Sequence, residues 1–157
     1  MGNNKQTEIA VGVILKDYIS SRIFCTDMKT RYSLTDKENL LYYLNEYFIK
    51  NLDKEKIIEY NWEIGSYGNE NSNTVTAKVG LLTKSEFLDL EMSRISENFR
   101  ITDGNAWWLL TPSQGVLLED AVNIVTTDNR IGEGWIKSSY AVKPVIYILN
   151  DTKIIKN

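Results

Sequence analysis

Trp107 and Trp108 stand side by side in an apolar run, Trp107-Trp108-Leu109-Leu110-Thr111-Pro112-Ser113, and this pair limits the folds open to the chain. Neighbouring side chains on a strand point to opposite faces of a sheet. A strand carrying both indoles is therefore covered on both faces, or it leaves one indole at the surface as a site. A second β-rich run, Ala141-Val142-Lys143-Pro144-Val145-Ile146-Tyr147-Ile148, contains a proline. Pro144 cannot donate to a ladder and is expected at an edge or a bulge.

The remaining composition narrows the chemistry. With 157 residues, 43% of them hydrophobic and 25% charged, the chain suits one globular core. Its net charge is -3, and the 18 basic residues form no run of the kind that neutralises phosphates, so nucleic acid is not an expected partner. There is no histidine and one cysteine, Cys25. The commonest general base, the commonest metal ligand, an internal disulfide and a thiolate zinc cage are thereby missing. No metal or cofactor is expected. Cys25 reads as a small buried hydrophobe, with a reactive thiol as the alternative and Arg22 the basic group nearest in sequence to activate it. No apolar run is long enough to span a bilayer, so membrane attachment is expected only through a segment outside this chain.

Along the chain, Val11, Ile14, Leu15, Tyr18 and Ile19 follow helical spacing between Thr7 and Ile23, which favours an amphipathic helix. The β-branched run Ile9 to Ile14 also reads as a strand. Residues 1–30 are taken as an N-terminal helix or linker, with the soluble half of a longer anchor helix as one version, and residues 31–157 as the domain proper. A second helix is expected from about Asp36 to Lys50, capped by Thr35 and burying Leu40, Leu44 and Phe48. A short helix from Lys54 to Glu59 would follow, packing Ile57 and Ile58 inward.

Asn61 to Thr76 has loop composition, with Gly65, Gly68 and an Asn-rich cluster. Val75 to Leu82 reads as a strand. Thr83-Lys84-Ser85-Glu86 is a capping box opening a helix that runs to about Met92. Ser93 to Asn105 is polar and irregular, with a turn signal at Asp103-Gly104-Asn105. Val116 to Leu118 and Ala121 to Thr127 look strand-like, and Thr127 to Gly132 reads as a hairpin turn leading into Trp135-Ile136.

Four segments recur in this order in a family of bacterial domains of unknown function: Leu44-Asn45-Glu46-Tyr47-Phe48, Lys78 to Glu86, Trp107 to Pro112 and Ala141 to Ile148. The chain resembles that family from Leu34 to Leu149, in its LN..F, GLLS..E, WWLRSP and VRPV patterns. The family occurs in Firmicutes, often in surface, pilin-like or phage-tail proteins, and is similar to the C-type-lectin-like fold of formylglycine-generating enzymes and phage receptor-binding domains. The resemblance implies an α+β domain, two or three helices packed on a small twisted, mostly antiparallel sheet. Leu110 and Lys143 stand where the family patterns carry arginine, which removes or weakens any ion pair made there. Thr111-Pro112-Ser113 replaces the EPN-like tripeptide of calcium-binding lectins, and Cys25 lies outside the matched region and does not supply an oxidase cysteine.

These readings converge on a non-enzymatic extracellular binding or structural module of a bacterial surface appendage or phage tail, making adhesive or receptor contacts with protein or glycan and open to self-assembly in a filament. The alternative is a carboxylate-dependent hydrolase acting on carbohydrate, using Glu119 with Asp120 or Asp128 with Glu133. For binding, the candidates are Trp107 and Trp108 as an indole platform, or as ordinary core packing, and the loops Thr111 to Glu119 and Thr127 to Ser139. The second loop carries Asn129, Arg130 and Trp135, the last in a glycine-flanked turn where an indole is hard to bury.

Overall fold

The computed structural model describes residues 10–15, 18–66, 73–92, 105–114 and 119–149. Ten strands, β1 (Ala10–Ile14), β2 (Ile19–Arg22), β3 (Tyr60–Gly65), β4 (Asn73–Ala77), β5 (Val79–Gly80), β6 (Trp107–Pro112), β7 (Ala121–Val125), β8 (Ile131–Trp135), β9 (Tyr140–Val142) and β10 (Val145–Leu149), combine with two helices, α1 (Leu40–Glu46) and α2 (Lys84–Met92). The fold is α+β. Its strands form a three-stranded sheet ordered β1-β10-β5, a five-stranded sheet ordered β2-β9-β6-β7-β8 and the hairpin β3-β4. Only the β6-β9 pairing is parallel among these ladders.

The N-terminal segment is strand, not the expected helix. Val11, Val13 and Ile14 are stiff at χ1 and Gly12 is a poor helix former, while β10 supplies a five-residue antiparallel partner from Ala10↔Leu149 to Ile14↔Val145. Gly12 matters to that pairing, because a Cβ there would sit 3.0 Å from the ring of its partner Tyr147. β1 and β2 thus belong to the same sheets as β10 and β9.

α1 is shorter than its apolar stripe suggests. Ser33 and Asp36 spend their side chains on local turns, Ser33 Oγ accepting from Asp36 N at 2.9 Å and Asp36 Oδ1 from Glu38 N at 3.0 Å. Such bonds compete with helix, and Asn39 is the cap in place of Thr35, accepting from Leu41 N at 3.0 Å. After α1 the chain tightens into a 3-10 turn, Phe48–Asn51. Leu40, Leu44 and Phe48 are buried as expected. No helix forms at 54–59; Ile57 instead bridges to Ile148, and Ile58 N donates to Tyr147 O at 3.0 Å.

The Gly- and Asn-rich stretch also hides structure. β3 alternates outward and inward, with Trp62 and Ile64 buried, and pairs with β4. Residues 67–72 of that stretch, most of the irregular segment after α2 and the strand-like Val116 to Leu118 lie outside the described residues. The strand expected from Val75 to Leu82 is split between β4 and β5. The capping box is reciprocal: Thr83 N donates to Glu86 Oε1 at 3.0 Å and Glu86 N to Thr83 Oγ1 at 3.1 Å. Pro144 sits between β9 and β10, where the chain passes from the five-stranded sheet to the three-stranded one.

Asn45 joins helix to sheet. Its Oδ1 accepts from Lys78 N and Val79 N at 3.1 and 3.0 Å, and its Nδ2 donates to Leu41 O and Val79 O, each at 2.9 Å. One side chain thus satisfies the backbone where β4 gives way to β5.

Candidate functional site

β6 is central in the five-stranded sheet, and its two indoles face opposite ways as strand alternation requires. Trp107 meets Phe87 of α2 edge-on with ring centroids 5.7 Å apart, and the Lys143 ammonium lies 5.5 Å from its ring centroid. Trp108 packs against Phe24 and Tyr140 at 5.2 and 4.8 Å, and its Nε1–H donates to Arg22 O at 2.7 Å. Their exposures are 2% and 0%. Both faces of β6 are covered, so neither indole offers a platform, because each ring is committed to packing. Leu110 is also fully buried.

Trp135 is different. It closes β8 at the edge of the sheet and is 46% exposed, whereas Trp62, Trp107 and Trp108 are buried. Its cross-strand neighbour is Ala121, too small to shield an indole. β8 approaches the sheet so closely because of its glycines: a Cβ on Gly134 would lie 2.7 Å from both Ile124 Cγ2 and Trp108 Cζ3. The core thus fills the space left by Gly132 and Gly134 on one face, and Ile131, Glu133 and Trp135 project together on the other.

Glu133 occupies the middle of that row. Ser113 Oγ donates to its Oε1 at 2.8 Å, while Oε2 is buried without a hydrogen-bond partner among the described residues. Asn129 and Arg130 lie one turn away, at the tip of the β7-β8 hairpin. Asn129 takes the left-handed conformation with φ 64°, which asparagine tolerates. Thr126 Oγ1 accepts from Arg130 N at 3.2 Å. The exposed Arg130 guanidinium contacts Asp128 at 3.3 Å. Asp128 is held below the usual carboxylate range, first by its hydrogen bond from Thr126 and also by the Arg130 charge. Trp135, Glu133, Asn129 and Arg130 therefore share one hairpin, while Trp107 and Trp108 lie beneath it in the core.

Glu119 and Asp120 are exposed at the start of β7, and Asp120 has φ 52°. No group of three or more His, Cys, Asp or Glu residues able to hold a metal is present among the described residues. Cys25 is buried, and desolvation pushes its thiol up to about 12.

A cavity of about 380 Å³ opens between α2 and the three-stranded sheet, lined by Gly12, Ile14, Leu82, Glu86, Val145 and Tyr147 among others. Of its polar groups, Glu86 holds the cap of α2 and accepts from Tyr147 Oη–H at 3.3 Å, and Asp89 also lines it. Burial and the neighbouring Glu86 charge raise the Tyr147 hydroxyl well above its ordinary value. The missing side chain of Gly12 and the apolar lining were the signals available in the sequence, but they come from opposite ends of the chain. No family model, curated protein or solved structure matches the chain.

Proposed function

We propose that the chain is a non-enzymatic binding domain of C-type-lectin-like type, displayed outside the cell on a bacterial surface appendage or phage tail. It attaches to protein or glycan through the β8 surface centred on Trp135. The observation that carries this reading is the contrast among the four tryptophans: three are buried and Trp135 is 46% exposed on an edge strand. An exposed indole beside a carboxylate combines a large apolar face with a directional acceptor, the pairing that anchors interfaces. Asp128 is tied to Thr126 and Arg130, and Glu133 to Ser113, which supports binding over carboxylate-driven hydrolysis. The ordered LN, GLL, WWLL and VKPV segments support the lectin-like assignment.

Trp135 also supplies the readout. Iodide quenching of tryptophan emission selects the exposed indole, so a titration with a panel of oligosaccharides and peptides reports occupancy directly. A bound panel member is expected to protect the iodide-accessible fraction of the emission. Binding that leaves this fraction fully accessible would place the site elsewhere.

A further inference from the structure

We infer that β8 is a docking edge for an extended polypeptide segment, which joins the five-stranded sheet as an added antiparallel strand and sets a basic side chain opposite Glu133. The inference rests on the reading of the Trp135 surface as the binding surface and specifies its partner.

The backbone parity of the β7-β8 ladder carries the argument. Thr126 N donates to Arg130 O at 2.7 Å and Ile136 N to Asp120 O at 3.1 Å, one at each end of the ladder. Bonded pairs in an antiparallel ladder recur at every second residue. With the register Val122↔Gly134 and Ile124↔Gly132, Gly132 and Gly134 are the residues that bond to β7. Ile131, Glu133 and Trp135 therefore turn their N–H groups away from the sheet, as do the carbonyls of Ile131 and Glu133; the Trp135 carbonyl accepts from Ser138 N at 2.8 Å. This is a row of donors and acceptors at strand spacing, which a polypeptide backbone matches and a glycan does not.

Sheet edges are usually blunted by lysine, proline or a bulge. Ile131-Gly132-Glu133-Gly134-Trp135 has no lysine, proline or bulge and keeps unbroken register with β7; its one charged residue is Glu133, which accepts from Ser113. At the other end of the same sheet, β2 carries Arg22 and a register shift against β9. β1, an edge of the three-stranded sheet, is apolar throughout and has no polar side chain with which to select a partner. β8 alone among these three edges joins an open backbone to an exposed indole and an acidic residue on the same face of the strand.

Charge decides between a foreign segment and a second copy. Glu133 is the middle residue of β8, so two copies pairing β8 to β8 in full register would set Glu133 against Glu133. Like charges directly opposite are destabilising, and a lysine or arginine there is favourable. The side chains flanking that basic residue on the same face would meet Ile131 and Trp135, which suits valine or isoleucine.

The test uses the whole 15N-labelled chain and the capped peptide Thr-Val-Ser-Lys-Ser-Val-Thr at millimolar concentration. The expected result is that the Ile131, Glu133 and Trp135 amides shift and gain at least roughly tenfold protection from hydrogen exchange on pairing. Replacing the peptide lysine by glutamate should weaken binding roughly tenfold, and N-methylating alternate peptide amides should abolish it. A shift of the Trp135 indole without protection of the Ile131 and Glu133 amides overturns strand addition while sustaining the Trp135 surface. Protection at Ala10–Ile14 alone overturns the choice of edge. No change at β8 overturns the inference, leaving the Trp135 surface to be judged by the iodide titration.

Discussion

Asn45 and Cys25 illustrate how single side chains are spent in this molecule. Removing Asn45 strands the amides of Lys78 and Val79 and the Val79 carbonyl, which its side chain bonds. Unsatisfied groups of this kind cost about 1–3 kcal/mol each, relieved in part where water reaches them. Asn45→Ala is therefore expected to lower the unfolding free energy by about 3 kcal/mol in urea titration, and a loss below about 0.5 kcal/mol would show that the side chain is not the tie described. Cys25 should resist iodoacetamide at pH 8 in the native protein and react fully in urea, because the raised thiol is neutral and enclosed. The same shift sets a pH dependence. Its folded value lies above its ordinary one, so its contribution to stability is whole below pH 9.0 and is lost as pH rises toward about 12. Rapid native alkylation at pH 8 would contradict this.

For the elements, β8 gives a sharp expectation. In native-state hydrogen exchange, the amides of Gly132 and Gly134 should be protected and those of Ile131 and Glu133 should exchange freely, alternating residue by residue. Uniform protection along β8 would mean that its outer edge is already covered. Legibility also divides at this scale. The α2 capping box, the β7-β8 turn and the opposed faces of Trp107 and Trp108 were readable because each depends on residues close in sequence. β1 was less so, since its helical spacing is local whereas the partner that makes it a strand, β10, lies at the far end of the chain. α1 was overextended because the apolar stripe ignores the turns that Ser33 and Asp36 make with the backbone. In β3 the alternation of Trp62 and Ile64 was present, but glycine and asparagine around it gave the stretch the composition of a loop.

At the scale of the whole molecule, the chain encloses three of its tryptophans in packing between sheets and helices and leaves one at an edge. What was legible is the hairpin: Trp135, Asn129 and Arg130 were expected around one turn and lie on β7-β8, whereas the pairing of Glu133 with Ser113 depends on β6 and β8 sharing a sheet. Because Trp135 contributes little to the core, its removal should separate attachment from folding. The measurement that decides the account is the affinity of wild type and Trp135→Ala for the same panel ligand, read beside their melting temperatures. The expected result is a loss of roughly 2 kcal/mol, about thirtyfold in Kd, with melting nearly unchanged. Equal affinity in the two proteins, or unfolding of the variant with no separable effect on binding, would contradict the assignment of this surface.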